Sequence, residues 1–154
     1  LWDKIILKHS LTHTIYCDKH TIMHHLNSNV KNDNTIPSVN KAGSILINTT
    51  SKKIGLIYRH KQQDFSFPKG HQEPNETPLE CAKRETIEET QRDVEILTSL
   101  EVQKYISKKG KNITVHWFLA KDRGPTTKII TEDLKHELIW VDFDQVTQKL
   151  SYDI

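Results

Sequence analysis

The sequence predicts a mixed α/β sandwich. Two features support this prediction: short apolar runs bounded by polar turns, which are typical of β-strands, and two helical segments, one long and capped and one at the end of the chain. Strands interrupted by single helices favour a layered α/β architecture. A chain of 154 residues has the length of one ordinary domain with a single hydrophobic core.

Two neighbouring apolar runs open the predicted sheet. Residues 44–47 and 54–58 are apolar, and the segment 48–53 between them is polar, which is the pattern of a buried β-hairpin. A turn at 108–110 and a terminal helix at 144–150 are also expected. The remaining strand-like runs are 94–97, 101–107, 111–121 and 138–143.

One helix has clear start signals. Thr77 is the expected N-cap, Pro78 occupies the first helical position, and Glu80 completes a capping box. The helix is predicted to end near Thr90, before the next strand. Its inward stripe is expected at the i, i+3 and i+7 positions Leu79, Ala82 and Thr86.

The composition excludes several classes of protein. Lys and Arg total 22 against 20 Asp and Glu, and the resulting net charge of +2 lacks the basic excess of a dedicated DNA-binding domain. No apolar run approaches the ~18 residues of a membrane span, no signal peptide is visible, and no membrane partner is expected. The glycines form neither a dinucleotide-binding motif nor a P-loop. Two cysteines, Cys17 and Cys81, fit a reducing compartment, so a cytoplasmic location is expected.

The first 35 residues differ from the rest. We expect residues 1–35 to form an N-terminal extension of unassigned role and residues 36–154 to form the folded domain. Side chains of metal-ligand type recur in the extension at helical spacing, at His13, Cys17, His20 and His24. Because four ligands on one straight helix splay apart, a polar helix face is favoured over a zinc site.

Three carboxylates lie on one face of the capped helix. Glu85, Glu88 and Glu89 stand at i, i+3 and i+4, where side chains are neighbours and like charges repel. A divalent cation reverses that repulsion, because Mg²⁺ prefers carboxylate oxygens. Taken alone, a cluster of this kind is more often a solvated acidic face than a metal site. The loop that turns at Gly70 can bring a backbone carbonyl to the same ion.

The surrounding residues resolve this ambiguity by resemblance. The segment 70–92 resembles the Nudix hydrolase motif, G-x5-E-x7-R-E-U-x-E-E-x-G-U with U aliphatic, at Gly70, Glu76, Arg84, Glu85, Glu88 and Glu89. The preceding segment 65–71 is similar to the family's aromatic P-K-G-H lead-in. The resemblance covers about residues 41–150 and implies a MutT-like Nudix fold, a mixed β-sheet sandwiched between helices in an α/β/α arrangement. Residues 36–154 are therefore interpreted as a Nudix hydrolase domain.

The motif has three departures. Gln91 stands in place of the final glycine, Arg92 replaces the last aliphatic residue, and Thr86 occupies another aliphatic position. Since glycine supplies a left-handed C-cap, altered geometry at the helix end is expected, without loss of a carboxylate. Arg92 and Arg123 are interpreted as surface residues.

The resemblance implies hydrolysis of a nucleoside diphosphate linked to another group. Glu85, Glu88 and Glu89 resemble the family's metal ligands, joined by the carbonyl of Lys69 or Gly70. The implied cofactor is Mg²⁺, with Mn²⁺ as a possible substitute. Such an ion neutralises the pyrophosphate and lowers the pKa of a bound water.

The remaining acidic residues divide into structural and catalytic candidates. Glu76 resembles the partner of Arg84, a pair that holds the loop to the helix of the catalytic motif. The general base in this family is a helix glutamate or a glutamate of a later loop. Glu88 is the first choice, and Glu132 and Glu137 are the loop candidates, with an ordinary polar loop as the alternative for both.

Several residues are candidates for substrate binding. Lys69, His71 and Arg59 could face phosphates. Tyr58 and Trp117 could stack on a base, although an aromatic residue in a strand more often belongs to the core.

The expected partner is a small-molecule nucleotide, with a dinucleoside polyphosphate as the leading substrate because of the P-K-G-H lead-in. Alternatives are RNA 5′ ends, ADP-ribose-like sugars and oxidised nucleoside triphosphates. The near-neutral charge argues against RNA, since extended phosphate contacts call for a basic surface. A nucleotide-sensing Nudix domain without catalysis is the alternative from another class, and the intact glutamates disfavour it. The sequence carries no signal for an oligomeric state.

Overall fold

The computed structural model of the chain describes residues 37–128 and 136–151. The extension 1–35, with its His13, Cys17, His20 and His24 pattern, and the loop candidate Glu132 lie outside the described residues. Within the described part the elements are β1 (Ser38–Asn48), β2 (Lys53–Arg59), β3 (Asp64–Ser66), β4 (Lys69–His71), α1 (Pro78–Thr90), β5 (Arg92–Ile106), β6 (Asn112–Pro125), β7 (His136–Asp142), a 3₁₀ turn (Phe143–Gln145) and α2 (Val146–Ser151).

Strand β1 organises a mixed sheet. It pairs in parallel with β6 along one edge. Along the other edge it pairs antiparallel first with β4 and then with β2. Strand β2 continues the sheet to β3 and β7, and β6 continues it to β5. The change of partner from β4 to β2 brings the short strand β4 alongside the start of β1.

The two faces of the sheet are covered by different helices. Ile45 and Ile47 of β1 belong to a buried cluster that includes Val146 of α2. The alternate residues Ala42 and Leu46 belong to clusters formed with α1. This period of two places one apolar set on each face of the strand. The predicted α/β fold, a mixed sheet between helices, is confirmed.

Helix α1 begins and ends where the sequence predicts, although its buried face differs. The Thr77 hydroxyl accepts from the Glu80 N–H and the Glu80 carboxylate accepts from the Thr77 N–H, which completes the capping box. Leu79 is 46% exposed, so the predicted inward stripe is wrong at this position. The buried face comprises Cys81, Ala82, Thr86, Ile87 and Thr90. Leu79 lies in the first turn of α1, and none of the buried clusters of the described residues includes it.

Thr86 fills its aliphatic position through hydrogen bonding as well as packing. Its hydroxyl donates to the carbonyl of Ala82 at 2.6 Å and lies 2.6 Å from the Ser44 hydroxyl of β1. Both hydroxyls are fully buried. The polar atoms are thus satisfied within the core, and α1 is fixed to the centre of the sheet.

The end of α1 corrects two expectations. Gln91 adopts φ 58° and ψ 31°, so it retains the left-handed C-cap geometry that the missing glycine would have supplied. Arg92 is not a simple surface residue. Its guanidinium donates two hydrogen bonds to Asp122, at 2.8 and 2.7 Å, and lies over the ring of Trp140. Asp122 is too distant in sequence for this pairing to be read from spacing.

Strand β5 is one element where two were expected. It runs from Arg92 to Ile106 and pairs with β6, as predicted for its second half. Three register shifts interrupt the pairing, including one between Ser99 and Val102. Such bulges break the alternation of apolar and polar residues, which explains why the pattern resembles two strands. Among the described residues, no helix has the length and apolar character needed to cross a membrane.

Candidate active site

Arg84 joins helix α1 to the loop that precedes it. Its Nε and Nη2 donate to the two carboxylate oxygens of Glu76, at 2.7 and 3.0 Å, and Nη2 also donates to the His71 carbonyl at 3.0 Å. The hydrogen bonds from Arg84 hold the pKa of Glu76 at about 2, despite the opposing effect of burial. Both groups therefore stay charged near neutral pH, and the loop 71–76 is held against α1.

The same guanidinium reaches the helix carboxylates. Arg84 Nη1 donates to Glu85 Oε1 at 2.8 Å and to Glu88 Oε2 at 3.0 Å. Hydrogen bonding to Glu76 and then to Glu85 raises the pKa of Arg84 further above its ordinary value. One cation thus offsets the repulsion between carboxylates at neighbouring positions of α1.

Gly70 provides room for the Glu85 carboxylate. Gly70 pairs with Ala42 in the sheet, and a Cβ built on it would overlap the carboxylate carbon and both oxygens of Glu85. Any side chain at position 70 would therefore displace this carboxylate. The Gly70 carbonyl lies 3.8 Å from the Cys81 thiol of α1. Burial raises the pKa of Glu85, and the hydrogen bond from Arg84 opposes that effect.

Glu89 is held between two strands. Its Oε2 accepts from the Lys69 N–H of β4 at 3.1 Å, and its Oε1 lies 3.9 Å from His136 Nε2 at the start of β7. Burial raises the pKa of Glu89 to about 7, although the Lys69 N–H and the Lys69 charge lower it. A carboxylate that is buried in this way gains from a cation beside it, because the cation favours its charged form.

The three helix carboxylates supply oxygen ligands, which a hard divalent cation prefers. Their side chains are 15%, 36% and 20% exposed at Glu85, Glu88 and Glu89, so Glu88 is the most accessible to water. Within residues 37–128 and 136–151, no three His, Cys, Asp or Glu side chains converge on one point as a complete metal cage. Arg84 lies between Glu85 and Glu88. An ion that retains several waters needs only part of such a cage, so these carboxylate oxygens fit Mg²⁺.

The predicted phosphate-binding residues have unequal surroundings. Lys69 and His71 lie on β4 beside the carboxylates, and the Lys69 ammonium is 6.0 Å from the centre of the Trp117 ring. Partial burial, together with the charges of Lys41 and Lys111, lowers the pKa of His71. Arg59 is instead held by Asp64, through hydrogen bonds from Nε and Nη2 to the two carboxylate oxygens.

The predicted base-stacking residues lie in packed surroundings. Trp117 is 4% exposed, packs against Phe67, and donates from Nε1 to Gln103, so it is a core residue as the alternative reading held. Tyr58 packs against Phe65 and His60, each at 5.0 Å between ring centroids. Burial therefore leaves Trp117 little ring surface for a ligand.

Glu137 lies on β7, where it pairs with Tyr58 in the sheet. Its carboxylate is 58% exposed, and its nearest ionic partner among the described residues is His60, at 3.6 Å. No described contact joins Glu137 to Glu85, Glu88 or Glu89.

Sequence reasoning missed Lys41. This lysine lies on β1 opposite His71, and it is half-buried beside the carboxylate group. Burial and the charge of Arg59 lower the pKa of Lys41, whereas the charges of Glu85 and Glu89 raise it. The available signal was a lysine directly before the apolar part of β1. Its proximity to Glu85 and Glu89 depends on the pairing of β1 with β4, which the sequence does not reveal.

A family model described as "NUDIX domain" matches residues 37–153. The chain belongs to the Nudix family. It is accordingly a hydrolase of the pyrophosphate-cleaving type, and enzymes of this family use divalent metal ions. The match includes every described element of the sheet and both helices.

Solved structures similar to this Nudix chain share its fold. A Nudix hydrolase from Nitrosomonas europaea has 18% sequence identity and a TM-score of 0.62, with 73% of this chain and 77% of that chain covered. The C. elegans Ap4A hydrolase has 24% identity and a TM-score of 0.57, with coverage of 75% and 88%. A binary complex of a C. elegans Ap4A hydrolase has 26% identity and a TM-score of 0.57, with coverage of 74% and 87%.

Proposed function

We propose that this Nudix enzyme hydrolyses a pyrophosphate bond in a dinucleoside polyphosphate or a related small nucleotide, with Mg²⁺ as its cofactor. The observation that carries the proposal is the contact of two α1 carboxylates with the backbone of β4: Glu85 lies against Gly70, and Glu89 accepts from the Lys69 N–H. Arg84 joins Glu88 to Glu85 beside them. The P-K-G-H lead-in supports the substrate, as does the similarity to an Ap4A hydrolase at 26% identity.

The proposed metal ligands are Glu85, Glu88 and Glu89, with the carbonyl of Gly70 or Lys69 as a further donor. When bound, Mg²⁺ or Mn²⁺ neutralises the pyrophosphate and lowers the pKa of a coordinated water. Binding of the ion requires the carboxylates to share their charge between it and Arg84. Arg84 is proposed to act mainly by position, since it holds Glu85 and Glu88 at fixed distances from each other.

Glu88 is the proposed general base. Its carboxylate is the most exposed of the three, so a water molecule can reach it, and Arg84 fixes its position. Glu132 and Glu137 remain the alternatives. Glu137 is the weaker described candidate, because its carboxylate contacts His60 and no described contact joins it to the α1 carboxylates.

The domain bounds, the partner and the cellular location are also proposals. The Nudix domain is proposed to span residues 36–154 and to follow an extension at 1–35. The partner is proposed to be a small-molecule nucleotide, with the net charge of +2 disfavouring an RNA 5′ end. A cytoplasmic location is proposed from the cysteine content, which suits a reducing compartment.

A substrate panel tests the proposed activity. Dinucleoside polyphosphates, ADP-ribose, nucleoside triphosphates and RNA with a 5′-triphosphate are incubated with the protein and Mg²⁺ in ¹⁸O-water. We expect the highest kcat/KM for a dinucleoside polyphosphate, with one labelled product that identifies the phosphorus attacked. A higher kcat/KM for another member would overturn the substrate. Binding of nucleotides without turnover of any member would overturn catalysis in favour of a sensing role.

A further inference from the structure

Lys41 occupies a position that the proposed metal ligands do not use. It pairs with His71 across β1 and β4, and the adjacent residue Ala42 pairs with Gly70, whose Cα lies against the Glu85 carboxylate. Lys41 is therefore one strand position away from Ala42, so its side chain projects from the other face of β1. The charges of Glu85 and Glu89 still act on it.

Strand register places Lys41 in a group of basic residues. Paired residues of neighbouring strands project from the same face of a sheet, so Lys41 and His71 share a face. Gly43 follows two positions later and pairs with both Lys69 and Trp117 on that face. We call Lys41, Lys69 and His71 the β1–β4 basic cluster. The 6.0 Å separation between the Lys69 ammonium and the Trp117 ring agrees with this shared orientation.

Gly43 keeps the cluster compact. A Cβ built on it would overlap the Pro68 carbonyl and the Lys69 Cβ, so β4 lies closer to β1 than a side chain would permit. The Ser44 N–H donates to the same Pro68 carbonyl at 3.0 Å, which fixes the approach. The distance between the backbones of β1 and β4 is thus set by these contacts.

The charge of Lys41 lacks a direct partner in the described part of the chain. It forms no hydrogen bond or ion pair with residues 37–128 or 136–151, whereas Arg59 is held by Asp64 and Lys53 by Asp142. Its nearest acidic influences are Glu85 and Glu89, which act at longer range. A half-buried ammonium loses hydration, and an anion that binds beside it restores the lost interaction.

We propose that Lys41 is a substrate-binding residue that contacts a phosphate group of the polyphosphate chain beside the α1 carboxylates. The inference rests on the proposed function for the identity of the ligand. It assigns the phosphate contact to Lys41 in preference to Arg59, whose guanidinium already binds Asp64.

The test measures binding of inorganic tripolyphosphate by isothermal titration calorimetry in the presence of a chelator. The proteins are the wild type, Lys41→Met, Lys41→Arg and the control Lys53→Met, which removes the same charge at the far end of the β1–β2 pair. We expect Lys41→Met to raise the dissociation constant for tripolyphosphate about ten- to a hundredfold, which is the effect of losing one charge-assisted hydrogen bond. Lys41→Arg should stay within a few-fold of the wild type, and Lys53→Met should match it.

Three results would overturn the inference. The first is binding of tripolyphosphate by Lys41→Met as tightly as by the wild type, and the second is an equal loss in Lys53→Met, which would indicate a general effect of charge. The third is unchanged tripolyphosphate binding with tighter Mn²⁺ binding in Lys41→Met, which would make Lys41 a counter-ion for Glu85 and Glu89. Thermal melting of each variant, with Lys41→Arg as the conservative change, separates loss of folding from loss of the contact.

A parallel assay separates this inference from the proposed function. Turnover of a dinucleoside tetraphosphate by the wild type is measured with Mg²⁺. Turnover together with normal tripolyphosphate binding in Lys41→Met would overturn the Lys41 contact alone. Absence of turnover together with Lys41-dependent binding would overturn the proposed activity and leave the phosphate contact supported.

Discussion

Two arginines, one in the middle of α1 and one directly after its C-cap, make similar contacts and serve different parts of the molecule. Arg84 donates a two-pronged pair of hydrogen bonds to Glu76, and Arg92 does the same to Asp122. Arg84 has a further Nη1 donor, which reaches Glu85 and Glu88. Arg92 joins β5 to β6 and packs on Trp140. The same geometry therefore positions carboxylates at Arg84 and stabilises the sheet at Arg92.

The largest expected effect comes from a carboxylate that Arg84 does not hold. Glu89→Gln keeps an acceptor for the Lys69 N–H but removes the charge that a metal needs. We expect kcat/KM with Mg²⁺ to fall about a hundredfold or more, because metal stabilisation of the transition state is worth several kcal/mol. The matched control is Glu95→Gln, which removes an equal charge from an exposed pair with Arg123. Unchanged turnover in Glu89→Gln would make the proposed metal site wrong.

The comparison of the two arginines is tested by replacing each with lysine. Lysine retains the charge but cannot form the two-pronged contact. Arg84→Lys should lower kcat/KM by about ten- to a hundredfold through displaced carboxylates. Arg92→Lys should lower the free energy of unfolding by about 1–3 kcal/mol, since the Asp122 side chain is 3% exposed, with kcat nearly unchanged.

Steady-state kinetics and urea unfolding of both variants check these expectations. An equal loss of kcat/KM in Arg84→Lys and Arg92→Lys would show that the two arginines do not differ in their effect on the carboxylates. Burial alone would raise the pKa of Asp122, but hydrogen bonds from Arg92, the Gly124 N–H and Asn48 outweigh it and leave the pKa lowered. This direction agrees with a structural ion pair.

The Glu76–Arg84 contact also predicts a dependence of stability on pH. Since folding lowers the pKa of Glu76 from 4.5 to about 2, the contribution of this group is complete above pH 4.5 and is lost as pH falls towards 2. Urea unfolding of the wild type and Glu76→Gln should therefore show a difference in unfolding free energy that shrinks between pH 5 and pH 2. A constant difference across that range would contradict the lowered pKa.

The smallest expected effect lies at the C-cap. Gln91 holds a left-handed conformation with φ 58°, its N–H donates to Ile87, and its carbonyl accepts from Thr126. Gln91→Gly relieves the steric cost of the side chain and should raise the free energy of unfolding by about 0.5–1 kcal/mol, with activity unchanged. Thermal unfolding measures the change, and destabilisation would show that the glutamine side chain supports the cap.

The sequence predicts local features of this molecule better than long-range ones. The cap at Thr77, the span of α1 and the β1–β2 hairpin depend on neighbouring residues, and all are confirmed. The exposed Leu79 shows that helical periodicity does not locate the edge of the sheet on which a helix rests. Asp122 illustrates the same limit, because the partner of Arg92 is determined by the pairing of β5 with β6.

The candidate site divides in the same way. The motif brought Gly70, Glu76, Arg84 and the three helix glutamates together as a set, and the structure places them in contact around α1 and β4. Lys41 has no place in that motif, since its proximity to His71 arises from sheet register. Trp117 was ambiguous as a strand aromatic, and only its 4% exposure assigns it to the core.

The central claim is that the carboxylates of α1 hold the catalytic metal ion. Titration of Mn²⁺, followed by the loss of the free-ion electron paramagnetic resonance signal, tests it directly on the wild type, Glu89→Gln and Glu95→Gln. We predict that Glu89→Gln weakens Mn²⁺ binding at least about tenfold, the effect of losing one charged ligand worth about 1.4 kcal/mol or more, while Glu95→Gln matches the wild type. Equal Mn²⁺ affinity in the wild type and Glu89→Gln would contradict the claim.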